Sequence, residues 1–168
     1  KDNYKIILEE FYPEYHTVNY ITYDYYGRPV NSSYNVFDGY RYINAMLIQI
    51  SKNGDLLWDC NLEMGEILTY NLFKQIEYIK DNNINILAYY ANGNIISKFM
   101  EDDKILKPKN YTKIVSSNEL NKIQYEEVSG LAQWYGNFFI IYSLMGQKSK
   151  IKQEDTKRIL FLNKIIFE

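Results

Sequence analysis

The chain is written in short apolar runs separated by turn residues. Ile43 to Ile50 is apolar and β-compatible, Asn53-Gly54 follows, and Leu56 to Leu62 resumes the run around Trp58. Asn-Gly readily supplies the positive φ angles of a tight turn, so the pattern predicts an antiparallel hairpin from Tyr42 to Leu62. Ile84 to Tyr90 and Ile95 to Met100 repeat the arrangement around Asn92-Gly93, and Asp102-Asp103 allows a second reversal into Lys104 to Leu106. That stretch reads as a three-strand meander. The two Asn-Gly turns lie 39 residues apart, which sets Ile48 against Leu87 and Leu56-Leu57 against Ile95-Ile96. Propeller blades repeat at about 40 to 50 residues, so the offset has the size of a blade.

Other segments extend the same pattern. Lys5 to Phe11 and Val18 to Tyr25 read as strands separated by Pro13, Gly27-Arg28-Pro29 marks a turn, and Asn31 to Gly39 reads as a polar loop studded with Tyr34 and Phe37. Phe138 to Leu144 and Arg158 to Phe167 form a closing apolar pair joined by a polar connection from Gly146 to Asp155. Two stretches stay open between helix and strand. Glu66 to Asp81 places Ile67, Leu68, Leu72, Ile76 and Ile79 near helical spacing, while Tyr70, Leu72, Ile76 and Tyr78 fit period two; Asn118 to Val128 could hold a short helix. The expected fold is all-β: antiparallel hairpin and meander repeats over residues 1–168, propeller-like, with at most one or two short helices. Twelve or so strands make about three blades, fewer than the roughly four that close a ring, so the domain reads as whole or as part of a larger propeller.

Composition sharpens this picture. Hydrophobic residues make 46% of the 168 and charged residues 24%, which fits an ordered globular chain. Eighteen Tyr, eight Phe and two Trp raise the aromatic share to 17%, and aromatic residues favour pleated, half-buried surfaces. Nineteen basic and 21 acidic residues give a net charge of -2 with no long basic block, which argues against nucleic acid as a partner. One Cys and one His are too few for an internal disulfide or a structural zinc site, and no glycine-rich phosphate loop implies a cofactor. No apolar run approaches the roughly 18 residues of a membrane-spanning helix. The numbering begins at Lys1, which leaves room for a signal peptide, an anchor or a whole preceding domain.

Asn44-Ala45-Met46-Leu47-Ile48, followed by Asn53-Gly54-Asp55-Leu56-Leu57-Trp58-Asp59, resembles a motif of uncharacterised secreted or surface proteins of Bacteroidota. Gln133-Trp134-Tyr135-Gly136-Asn137-Phe138-Phe139 and the ending Lys157-Arg158-Ile159-Leu160-Phe161-Leu162-Asn163-Lys164-Ile165 look like the same family. The resemblance implies a propeller-like fold and an extracytoplasmic address, and it carries no catalytic residues.

Candidate chemistry is sparse. His16 has no nearby nucleophile, so it reads as a surface or pairing residue, and Cys60 between acidic neighbours reads as a sheet residue. Glu9-Glu10, Asp24, Asp38, Asp59, Glu63 and Glu126-Glu127 could in principle provide the two facing carboxylates of a carbohydrate-active enzyme, although adjacent strand residues point to opposite faces. Glu101-Asp102-Asp103 fits a hairpin tip better than a calcium loop. Asn31-Ser32-Ser33 and Asn110-Tyr111-Thr112 are formal glycosylation acceptors, a pattern short enough to decide nothing. The feature with functional colour is the cluster Tyr20, Tyr23, Tyr25, Tyr26, Tyr34, Tyr40 and Tyr42, with Trp134-Tyr135 beyond it. Exposed rings give rigid contact area at small entropic cost. Tyr25, Tyr26, Tyr40 and Trp134 are accordingly the expected ligand-binding residues of a non-catalytic module for a glycan or protein, Tyr25, Tyr26 and Tyr40 forming an exposed shelf.

Overall fold

The computed structural model describes residues 3–65, 67–114, 125–135, 138–148 and 156–167. Every regular element among them is a strand: β1 (Tyr4–Tyr23), β2 (Pro29–Ile50), β3 (Leu56–Glu63), β4 (Leu68–Thr69), β5 (Glu77–Asp81), β6 (Ile84–Ala91), β7 (Asn94–Glu101), β8 (Lys104–Lys113), β9 (Tyr125–Tyr135), β10 (Phe138–Lys148) and β11 (Thr156–Ile166). They form three antiparallel sheets, which we call A (β1-β2-β3, with β4 on β2), B (β5-β6-β7-β8) and C (β11-β10-β9).

The hairpin predicted around Asn53-Gly54 forms, with Ile50 opposite Leu56. Its connection is wider than the tight turn expected, running from Ser51 to Asp55 with only Gly54 at positive φ. Ser51 explains this, since its hydroxyl accepts from the amides of Asn53 and Asp55 and holds a broader loop. Asn92-Gly93 is the two-residue turn, with φ of 51° and 76° at its centre, and Asp102 at 49° turns β7 into β8 as expected. Residues 67–81 contain no helix. Leu68–Thr69 pairs with Tyr40 and Arg41, and period two prevails in β5. Of the second helix candidate, residues 118–124 lie outside the described residues and Tyr125 to Val128 open β9.

The largest departure from expectation is the length of β1 and β2. Pro13 does not divide β1, and Asn31 to Gly39 is no loop but the outer part of β2. Pro13 is tolerated because β1 is an edge strand, where a missing N–H need not break a ladder. Bulges on either side of it, at Glu10/Phe11 and Glu14/Tyr15, keep the two strands in register out to Tyr23 opposite Pro29. Beyond Pro13 no further strand among the described residues lies beside the pair, and it projects as a two-stranded ribbon.

Sheet B is the middle layer. Leu87, Tyr89, Ile96 and Met100 pack against Tyr42, Leu47, Trp58 and Leu62 of sheet A. From the opposite face, Ile86, Ala88, Tyr90 and Ile95 pack against Leu131, Phe139 and Ile141 of sheet C. Being covered on both sides makes β6 nearly continuous in buried residues, the pattern of a strand with no solvent face. Trp58 is core and Cys60 lies half-buried beside it in β3, a sheet residue as expected. The segment leading into β5 is tied to β1 by a single carboxylate: Glu9 Oε1 accepts the amides of Gln75 and Ile76 at 2.7 and 2.6 Å.

Candidate functional site

The ribbon leaves the layered body carrying one row of rings. Residues directly opposite in an antiparallel pair share a face, and the two bulges bring Phe11, Tyr15, Phe37 and Tyr40 to the same side. Phe11 touches buried Tyr42 and, edge-on, Tyr40 at 5.8 Å between centroids; Tyr40 meets Phe37 at 5.2 Å, and Phe37 meets Tyr15 at 5.5 Å and Tyr70 at 6.3 Å. The row thus starts in the core and climbs onto open surface. Phe11 is 41% exposed, Tyr15 55% and Tyr70 70%. Gly39 sets the junction: at φ +143° any β-carbon would lie 2.8 Å from the Thr69 carbonyl oxygen, so only glycine lets β4 close onto β2 and bring Tyr70 to the row.

The opposite face of the ribbon is polar where it leaves the body. Arg41 Nε and Nη2 donate to the two oxygens of Glu14 at 2.7 and 2.9 Å, and His16 Nδ1 contacts the bulge residue Asp38. The guanidinium hydrogen bond holds the Glu14 carboxyl below its usual range. Further out the same face carries Tyr20 against Tyr34 at 5.7 Å.

The expected shelf of Tyr25, Tyr26 and Tyr40 does not assemble. Tyr25 and Tyr26 stand at the ribbon tip, 96% and 79% exposed and edge-on to one another, while Tyr40 lies at the base, about 35 Å away at a strand rise of roughly 3.3 Å per residue. Trp134 is in a third place, on sheet C with Tyr135 and Phe138, where the Lys164 ammonium lies 3.9 Å from the centroid of Phe138 and donates to the Tyr135 hydroxyl. Of the four expected residues only Tyr40 belongs to the row. Phe11, Tyr15, Phe37 and Tyr70 complete the row, and simple spacing about the Gly27 turn does not reveal the first three, because Phe11 and Tyr42, and Tyr15 and Phe37, stand at unequal distances from it and a bulge shifts the register between the two pairs.

The tip is organised by Asp24, whose Oδ1 accepts the amides of Tyr26 and Arg28, both at 2.9 Å, while Oδ2 takes Arg28 Nε at 2.8 Å. The Arg28 amide, more than its guanidinium, keeps this carboxyl below the ordinary value of about 3.9. A depressed value means that the turn is supported above the unfolded-state value and loses that support as pH falls through the lower folded one. The Tyr25 and Tyr26 resonances are therefore expected to keep their dispersion down to about pH 4 and to collapse toward random-coil positions below it. NMR during an acid titration checks this, and collapse near pH 6 would contradict it.

A concavity of about 290 Å³ lies at the edge of sheets A and B and is lined by Asn3, Lys5, Gln49, Lys80, Asn83, Asn85 and Asp102. Lys5 Nζ donates to the Tyr78 hydroxyl and to Asn85 Oδ1, and burial pushes its ammonium below the ordinary lysine value. This cleft holds one carboxylate, not a facing pair. Among the described residues no group of three or more His, Cys, Asp or Glu could hold a metal, and no helix is long and apolar enough to cross a membrane. The chain matches no known protein family, no curated protein and no solved structure.

Proposed function

We propose that the chain is a non-catalytic binding module whose ligand, a glycan, stacks on the ring row formed by Phe11, Tyr15, Phe37, Tyr40 and Tyr70. The carrying observation is that this row leaves the core and stays open along a projecting ribbon, with Tyr15 and Tyr70 more than half exposed. A sugar ring offers C–H faces and hydroxyl edges, which suit a surface of ring faces and phenol oxygens better than one mixed with aliphatic groups. Along the ribbon and its root the carboxylates favour binding over hydrolysis: Glu9, Glu14, Asp24 and Asp38 are each engaged in holding strands or turns, so none of these four is left as half of an acid and base pair.

On this reading the three sheets are propeller-like blades and the address is extracytoplasmic, as the resemblance implies. The 39-residue offset supports the blade reading: Leu47 faces sheet B as Ile86 faces sheet C, and Ile48 and Leu87 both face the other way. A glycan array probed with the whole chain tests the ligand. Retention on a defined glycan is expected, and a Tyr15→Ala, Tyr70→Ala double variant should lose it. Equal retention by that variant, or none by the parent chain, refutes the reading.

A further inference from the structure

The stack A-B-C has a direction. Inside the chain, the forward face of A lies on the rear face of B, and the forward face of B lies on the rear face of C. Among the described residues nothing covers two of the faces, the rear of A and the forward face of C, and each carries a row of apolar side chains. On the rear of A, Tyr4 stands opposite Ile50, Ile6 opposite Ile48 and Leu8 opposite Met46, with Tyr4 59% and Leu8 49% exposed. On the forward face of C, Leu144 lies between Val128 and Leu160, and Tyr142 between Gly130 and Leu162, with Leu160 and Leu162 60% and 62% exposed. On both ends the exposed apolar side chains stand on neighbouring strands of one face, unlike single residues scattered over a surface.

From these faces we infer that the chain pairs with a second copy of itself, head to tail, the forward face of each sheet C covering the rear face of the partner's sheet A. This extends the blade reading above and is independent of the glycan. The junction would repeat the geometry already present twice within the chain, one sheet's forward face on the next sheet's rear face. The charges also complement: the rear of A carries Glu10, Asp59 and Glu63, exposed and without a cationic partner among the described residues, and the forward face of C carries exposed Lys164. Two copies bring three sheets each, and the resulting six fall inside the four-to-eight range in which propellers close. A heterologous contact that closes forms a ring and leaves neither apolar end open.

The test is the mass in solution by sedimentation, with two single variants. The parent chain should sediment at twice 20.1 kDa, and Leu8→Lys and Leu162→Lys should each sediment at 20.1 kDa, since either change spoils both junctions. Both positions are exposed, so the variants should remain folded by circular dichroism; Tyr4→Lys repeats the first test if Leu8→Lys does not. An equal mixture of the two monomeric variants should form dimer again, because one intact forward face meets one intact rear face. A monomeric parent chain, a dimer that survives either substitution, a mixture that stays monomeric, or assemblies of three or more copies would each overturn the proposal. The monomeric variants should keep any glycan binding, which separates this result from failure of the ligand reading.

Discussion

Replacing Tyr89 by Ala is expected to cost about 3–5 kcal/mol of folding stability, the range for removing a large ring from a packed core. Tyr89 is fully buried where sheets A and B meet, among Leu47, Leu62, Met64 and Leu87, and its hydroxyl donates to the Glu63 carbonyl of sheet A at 2.9 Å. The ring fills the interface, and the hydroxyl satisfies a strand-end carbonyl. Tyr89→Phe separates the two roles and should cost only about 1 kcal/mol, the net worth of one hydrogen bond. Urea unfolding checks both. Equal losses for the two variants would mean that the bond, not the packing, holds the sheets together.

The second large effect belongs to Glu9. Removing its carboxylate strands the amides of Gln75 and Ile76 in a segment where both residues are buried, and a stranded buried donor costs about 1–3 kcal/mol. Glu9→Ala should therefore lose about 2–5 kcal/mol, whereas Glu9→Gln keeps an acceptor oxygen and should lose much less. Hydrogen exchange should show the same change locally, with residues 75 and 76 losing protection in the alanine variant before the rest of sheet B. A neutral Glu9→Ala would show that the 70–76 segment is held by its other contacts, among them the hydrogen bonds between Phe73 and the Tyr42 hydroxyl.

The parts of the fold that were legible in the sequence are those set by neighbours in the chain. Asn92-Gly93 and Asp102-Asp103 specify turns locally, and the apolar runs beside them had only one way to pair. The all-β class followed from the same runs. What could not be read depends on register. Each bulge shifts the side-chain alternation by one residue, so the faces of Phe37 and Tyr40 could not be derived from spacing once Asp38 was inserted between them. Tyr25 and Tyr40 are neighbours only if Asn31 to Gly39 is a loop; as strand, that segment carries them to opposite ends of the ribbon. Tyr70 was hidden for another reason. Its place beside Phe37 rests on a two-residue strand that pairs because Gly39 has no β-carbon, and a contact of that kind leaves no periodic trace.

We propose the ring row as a binding surface and not an extension of the core. Calorimetric titration of a glycan retained on the array, run beside equilibrium unfolding for Tyr15→Ala and Tyr70→Ala, tests it most directly. Each substitution should weaken binding by about 1–3 kcal/mol, the loss seen when a stacked ring is removed, while stability stays within about 0.5 kcal/mol of the parent chain. Unchanged affinity, or a stability loss of several kcal/mol in either variant, would contradict it.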